Sequence, residues 1–186
     1  YHHKFKNYIV NVAANETFNN IDYLVTRPRN VSKGTLEGLE LGYQQFYDGL
    51  PGLLSGLGLQ ANGTYMSGKT NDETGSHAIT GVSRYAYNLV VLYEKDAWSG
   101  RLAYNWRSKF IDSYNQGGPG LDLKVAPTAQ LDGSLSYKIN EQFTVTLDGN
   151  NLLDTKFKDY WNTAGVYPRD TRRYDRTVGV SLRWKM

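Results

Sequence analysis

A chain of 186 residues with 15 tyrosines, 19 glycines and no cysteine has room for one domain of ordinary size, but its composition is not that of a soluble core built from Leu, Ile and Val. The missing cysteine excludes a disulfide scaffold and a thiolate metal site, and a net charge of +3 scattered along the chain gives nucleic acid little to hold. No run reaches the roughly 18 apolar residues of a transmembrane helix, which excludes a helical membrane protein but not a barrel, whose strands are apolar on one face only.

The opening Tyr1-His2-His3-Lys4 has neither the charged n-region nor the apolar h-region of a signal peptide, so the chain reads as mature or as a piece of a longer one. From there alternation with period two recurs to the end. It predicts about eight strands, near 4–11, 21–47, 56–69, 82–94, 99–114, 125–140, 143–155 and 172–186. The second is ragged at its start, where Pro28 lacks an N–H for a ladder. In the third, Leu57, Leu59, Ala61, Gly63 and Tyr65 oppose Gly58, Gln60, Asn62 and Thr64. In the fourth, Tyr85, Tyr87, Leu89, Val91 and Tyr93 form the apolar face. Leu102, Tyr104, Trp106 and Phe110 then oppose Arg101, Asn105, Arg107 and Lys109, and Leu131, Leu135, Tyr137 and Ile139 oppose Gln130, Asp132, Ser134 and Lys138. Val178, Val180, Leu182 and Trp184 face away from Thr177, Ser181, Arg183 and Lys185.

Most of these runs reach the roughly 9 to 11 residues that cross a bilayer and exceed the roughly 5 to 6 of soluble strands. Links at 48–52, 94–100 and 140–142 are short, whereas 12–20, 70–81, 115–124 and 156–171 are longer and polar. Short turns on one side and long loops on the other describe an outer-membrane barrel. Tyr93, Tyr137, Phe143 and Trp184 gather near the short turns, and Tyr85, Trp106, Phe110 and Tyr114 toward the long loops, as two membrane interfaces would select.

Particular residues then carry a resemblance. Thr177, Gly179, Leu182 and Trp184 fit the outer-membrane assembly signal, with Lys185 and Met186 beyond it. Asn150-Asn151-Leu152-Leu153-Asp154, about 30 residues from the end, resembles the element before the last strand of TonB-dependent receptors, and Gly34-Thr35-Leu36-Glu37-Gly38 through Tyr43 and Leu50-Pro51 through Tyr65 resemble their wall strands and turn. The resemblance implies an all-β, antiparallel, up-and-down transmembrane barrel. Residues 1–186 would be its C-terminal portion, about the last eight strands of a barrel of about 22. It also implies residence in the outer membrane of a Gram-negative bacterium. Expected partners are membrane lipid, the barrel-assembly machinery through the last strand, TonB through a plug not in this chain, and a small-molecule substrate. The imported nutrient is left open between a ferric siderophore, a cobalamin-like cofactor and an oligosaccharide. Neither a plug nor a TonB-box-like segment is present in the sequence.

No catalytic residues are expected, because the carboxylates come without a Ser, His or Cys nucleophile arrangement. No metal site or cofactor is expected either, since adjacent His2 and His3 point to opposite faces of a strand and His77 stands apart. Lumen-lining candidates are Arg84, Asn88, Arg101, Asn105, Arg107, Gln130, Asp132 and Asp148. Loop residues Tyr114, Asn115, Gln116, Tyr160, Trp161, Asn162, Tyr167 and Arg169 mix flat aromatics with amides and are the ligand-binding candidates, against ordinary loop packing. Two rivals predict differently. A complete eight-stranded barrel serving as anchor or adhesin would close on itself and fill with side chains. A soluble lectin sandwich would cover the apolar face with a second sheet.

Overall fold

Period-two sequences become strands whose faces are set by the pleat, and in-register neighbours merge those faces into two surfaces of a sheet. The computed structural model describes residues 1–31, 33–72 and 75–185. In chain order the strands are β1 (His2–Phe5), β2 (Tyr8–Phe18), β3 (Ile21–Val31), β4 (Lys33–Phe46), β5 (Leu57–Asp72), β6 (Gly75–Ala78), β7 (Tyr85–Lys95) and β8 (Trp98–Arg107). There follow β9 (Phe110–Ser113), β10 (Leu123–Val125), β11 (Thr128–Lys138), β12 (Phe143–Asn150), β13 (Lys156–Trp161), β14 (Pro168–Arg173) and β15 (Thr177–Trp184).

One large antiparallel sheet runs β1-β4-β5-β7-β8-β11-β12-β15, with β6 added to β5. It is a meander and does not close: β1 and β15 stand at opposite edges. A closed eight-stranded barrel, in which they would pair, is not what forms. Two smaller sheets, β2-β3 and β14-β13-β10-β9, continue the wall strands at the long-loop end.

Several expected boundaries change as a result. The first two predicted strands each divide, at Lys6–Asn7 and near position 32, which lies outside the described residues. The expected link 12–20 is instead strand, because Asn19 and Asn20 both take positive φ (51° and 62°) and close a two-residue hairpin between Phe18 and Ile21. Pro28 sits in that two-stranded ladder opposite Asn11, where an open edge tolerates a missing N–H. Links 70–81 and 156–171 likewise contain β6, β13 and β14. Breaks at Ser108–Lys109 and Ala126–Pro127 divide two further strands. The first break also turns Phe110 onto the face of Arg107, whose guanidinium lies 4.2 Å from the ring, and not onto that of Leu102.

One face of the large sheet carries Leu41, Leu59, Leu89, Val91, Leu102, Leu135, Leu147, Val178 and Val180, and most of these large residues are exposed, Val180 at 75%. Aromatic pairs flank them along the strands. Tyr65–Tyr85 (5.4 Å) and Tyr87–Trp106 (5.1 Å, stacked) lie toward the long loops, and Trp98–Tyr137 (4.6 Å) and Phe143–Trp184 (6.4 Å, stacked) toward the short turns. From Tyr85 to Tyr93 the strand covers about 27 Å, on the scale of the roughly 25 Å apolar band of a membrane barrel.

The accessible surface is 12902 Å²; a compact globule of 21.0 kDa exposes only about 9000 Å². Among the described residues the buried apolar ones are Ile79, Val90, Ala103, Leu123, Val125 and Tyr160, far short of a sandwich core. The lectin alternative therefore lacks the second sheet it requires.

Candidate functional site

The opposite face of the sheet is polar and is organised in rows by the strand register. Asn62, Asn88, Asn105 and Gln130 stand directly across from one another on β5, β7, β8 and β11. Gly42 continues the row on β4, and a Cβ there would meet Asn62 Oδ1 at 3.1 Å, so its bare backbone leaves room for the amide. Toward the long loops the next row reads Glu40, Thr64, Ala86, Arg107 and Thr128. Toward the short turns come Gln44, Gln60, Val90, Ala103 and Asp132, and then Arg101, Ser134 and Asp148. The residues expected to line a lumen thus share one face, with Arg84 just before β7 on the same side.

A recess of about 730 Å³ opens over this face where the wall meets the smaller sheet, lined by Asn88, Asn105, Gln130, Ser83, Phe157 and Tyr174 among others. Arg107 at its border is committed. Its Nε donates to Ser83 Oγ (2.9 Å), Nη2 to the Gly81 carbonyl (3.4 Å), and Phe110 takes its flat face. Ser83 is buried and passes a bond to the Ser108 carbonyl (2.8 Å), tying the approach to β7 onto the end of β8.

Asn151 holds the other border. It takes φ 51°, which Asn tolerates better than most residues, and is 7% exposed. Its Nδ2 donates to the carbonyls of Thr155 (3.3 Å) and Tyr174, and its Oδ1 accepts the Thr155 N–H (2.9 Å). Its own N–H reaches Asp132 Oδ1 (2.8 Å), and Thr155 Oγ1 donates to the Ala129 carbonyl. One side chain and its turn therefore link β11, the end of β12 and the approach to β15.

The loop candidates lie about the smaller sheet, with their polar side chains mostly bonded to neighbouring loop and strand residues outside the set. Tyr114 donates to the Ala78 carbonyl (2.8 Å) with its ring beside His77. Burial pushes its phenol above the usual range, the nearby Asp122 carboxylate adds to this, and the Ala78 bond works against it. Asn115, at φ 52°, accepts the Gly120 N–H (2.7 Å), and Gln116 accepts the Ser113 hydroxyl (3.2 Å). Asn162 accepts the Asp122 N–H (2.9 Å), donates to the Gly120 carbonyl (2.6 Å) and offers its own carbonyl to Lys124 Nζ (3.1 Å). Tyr160 is buried. Arg169 donates to Asp159 Oδ2 (2.7 Å), whose side chain is 3% exposed, and lies 5.7 Å from the Trp161 ring. Tyr167 stands exposed, at 55%, as do Gln116 and Arg169. The assembly-signal residues Thr177, Gly179, Leu182 and Trp184 lie on β15, the edge strand, with Leu182 and Trp184 on the apolar face.

A meander wall with one apolar and one polar face, aromatic bands and strand extensions at one end is a shape that can be compared with known proteins. The sequence model described as TonB dependent receptor-like, beta-barrel, matches residues 1–152. The chain belongs to the TonB-dependent receptor β-barrel family. Vitamin B12 transporters BtuB of Vibrio cholerae serotype O1, from strains O395 and M66-2, are 26% identical to it over 98 residues, which is 53% of this chain and 15% of theirs. Two structures of the ferric enterobactin receptor PfeA of Pseudomonas aeruginosa, both mutants in complex with enterobactin, superpose with TM-scores of 0.60 at 20% and 22% identity. They cover 98% of this chain and 28% of the receptor. The chain thus spans about 15% of its curated relatives' length.

In a membrane barrel wall an exposed apolar face is the kind that suits lipid, and the opposite polar face the kind that suits an inner one. Sequence reading placed Asn88, Asn105 and Gln130 on that inner face but missed Ser83, Thr155, Phe157 and Tyr174 at the recess. The signal for Tyr174 and Thr155 was absent from local periodicity, since both are recruited through Asn151 from 23 and 4 residues away.

Proposed function

We propose that residues 1–186 are the C-terminal part of the barrel of a TonB-dependent transporter in the outer membrane of a Gram-negative bacterium, importing a scarce nutrient. The observation that carries this reading is the two-faced wall: an exposed apolar face between aromatic bands, backed by an inner face of amides and charges. An open sheet in lipid leaves unpaired backbone groups at several kcal/mol each, so further strands of the same barrel complete it. A plug from elsewhere in the polypeptide occupies the barrel and receives energy through TonB. Thr177, Gly179, Leu182 and Trp184 present the last strand to the assembly machinery. The B12 and enterobactin relatives support nutrient import, and the ferric siderophore, cobalamin-like and oligosaccharide classes all remain within this reading.

The test is the native polypeptide in its membrane. It should fractionate with the outer membrane, have a mass several-fold above 21.0 kDa, and support solute uptake in cells with TonB but not in cells without it. A native polypeptide near 21.0 kDa, or uptake indifferent to TonB, would contradict the proposal.

A further inference from the structure

We infer that the outer surface of β1, β4 and β5 at the long-loop end is a seat for the anionic phosphate of a lipid headgroup, held by Lys4, Lys33 and Lys69 around Thr35. This rests on the membrane-wall reading above and goes beyond it, because it assigns a lipid contact to named residues away from the inner face.

Strand register gathers the three lysines. Lys4 on β1 stands opposite Thr35 on β4, and Thr35 stands opposite Lys69 on β5. At about 4.8 Å between strands the two lysines are about 10 Å apart, with Thr35 midway. Lys33 lies two residues along β4, about 7 Å from Thr35. The pleat sends these odd positions of β4 and β5 to the face of Leu39, Leu41 and Tyr65. The even positions of β1 follow them, because Tyr1 and Phe5 lay their rings over Gly38 and Gly34 on the other face, where neither glycine has room for a Cβ. All three lysines are exposed and make no ion pair or hydrogen bond among the described residues, while Thr35 between them is half-buried.

The charges of the patch do not cancel. Glu37 is its one carboxylate among the described residues and is bonded to His2 Nδ1 (2.8 Å). Glu40 projects to the opposite face, and the outward neighbours Ser67, Asn71, Ser76 and Ala78 are neutral. With His2 neutral, three ammonium groups against one carboxylate leave two positive charges in excess.

Position selects a lipid over a free anion. Toward the short turns the same face becomes apolar, with Leu39 58% and Leu41 68% exposed beside the Tyr65–Tyr85 pair. Lys69 lies about 13 Å along β5 from Tyr65, which sets the lysines at headgroup depth if the aromatic pair marks the interface. A phosphate there gains charge-assisted hydrogen bonds from flexible ammonium groups. Acyl chains from the same molecule lie on Leu39 and Leu41. The short Thr35 side chain lets the phosphate settle between the lysines and offers it a hydroxyl. A zwitterionic headgroup would bring its own ammonium into the same positive field.

The experiment uses the full-length receptor in neutral detergent, with folding checked by heat-modifiable migration. Native mass spectrometry counts bound lipid as bisphosphorylated lipid A is titrated in, with dephosphorylated lipid A as the comparison and inorganic phosphate as a soluble competitor. The phosphorylated lipid should bind preferentially, and its affinity should fall roughly ten- to hundredfold in Lys4→Gln/Lys33→Gln/Lys69→Gln. Lys69→Gln alone should fall by less, which guards against a folding failure of the triple variant. Thr35→Phe keeps every charge but fills the centre of the seat, and should also weaken binding. Lys138→Gln, at the short-turn end, should not. Equal binding of the two lipids, unchanged affinity in the triple variant or in Thr35→Phe, or displacement by inorganic phosphate would overturn the inference. TonB-dependent uptake without any lysine-dependent lipid binding would remove this inference and keep the transport reading. Lysine-dependent lipid binding with uptake indifferent to TonB would do the reverse.

Discussion

Replacing Leu102 by Arg tests which face meets lipid. Leu102 lies mid-strand on β8, between Val91 and Gly133 in register, and is 45% exposed. On the inner face of the same strand, Ser99 stands opposite Glu94. An Arg at position 102 would point into hydrocarbon near the middle of the apolar band, where such a substitution costs about 2–4 kcal/mol in barrel proteins. An Arg at position 99 would reach water and the Glu94 carboxylate, with an expected effect within about 0.5 kcal/mol. The assay is equilibrium unfolding of the full-length protein in lipid vesicles, with denaturant and tryptophan fluorescence, comparing midpoints at constant slope. A gap of at least about 1.5 kcal/mol with Leu102→Arg the weaker protein is expected. Equal midpoints, or Ser99→Arg the less stable, would refute the assignment of faces.

Other perturbations address the borders of the recess and the outer sheet. Asn151→Ala should cost about 2–4 kcal/mol by orphaning the Thr155 and Tyr174 carbonyls and the Thr155 N–H. Asn151→Gly should be milder by about 1 kcal/mol because φ 51° suits glycine; equal losses in the two, measured by the same unfolding assay, would contradict this. Arg169→Ala strands the buried Asp159 carboxylate, and with Arg169 itself 38% exposed the cost is about 2–3 kcal/mol. Hydrogen exchange in β13 should then accelerate, and adding Asp159→Asn should restore at least half of the protection; no change in exchange would sink the idea. Tyr114 holds its proton more tightly folded than unfolded, so the stability it contributes is full below about pH 10 and is lost as pH rises through the higher folded value. Ultraviolet difference titration of wild type against Tyr114→Phe should show one phenol ionising late, and a phenol ionising at or below the usual pH would count against it.

Much of the wall was legible in the sequence because a strand's faces depend only on residue parity. Leu57 through Tyr65 and Tyr85 through Tyr93 keep the faces read for them. What was not legible depends on contacts between distant residues. Phe110 changes face because the chain breaks at Ser108–Lys109 and Arg107 captures the ring, a packing event that alternation cannot record. Within the hairpin β2-β3 only residues 12–20 were read as a polar link, because Asn15, Asn19 and Asn20 interrupt the alternation there, although Asn19-Asn20 is the kind of pair that closes such a turn. Among the candidate residues, Asn88, Asn105 and Gln130 were individually visible as inward amides, but their alignment with Asn62 follows from strand register, which the turns impose. Among the loop candidates, Asn115 and Asn162 look like ligand donors in a sequence and prove to spend their amides on Gly120 and Asp122.

The central claim is that one face of this sheet meets lipid and the other an aqueous interior. Residues 1–186 hold no native cysteine, so, with any cysteine elsewhere in the receptor replaced, single cysteines can be placed at each position from Arg101 to Arg107 of the full-length protein in bilayers. Each is probed with a membrane-impermeant maleimide and, after fluorescent labelling, with a lipid-borne quencher. Positions 101, 105 and 107 should be modified from water and 102, 104 and 106 quenched from lipid, with position 103 shielded from both because Ala103 is buried, at 2% exposure. A flat profile, or alternation with the opposite phase, would contradict it.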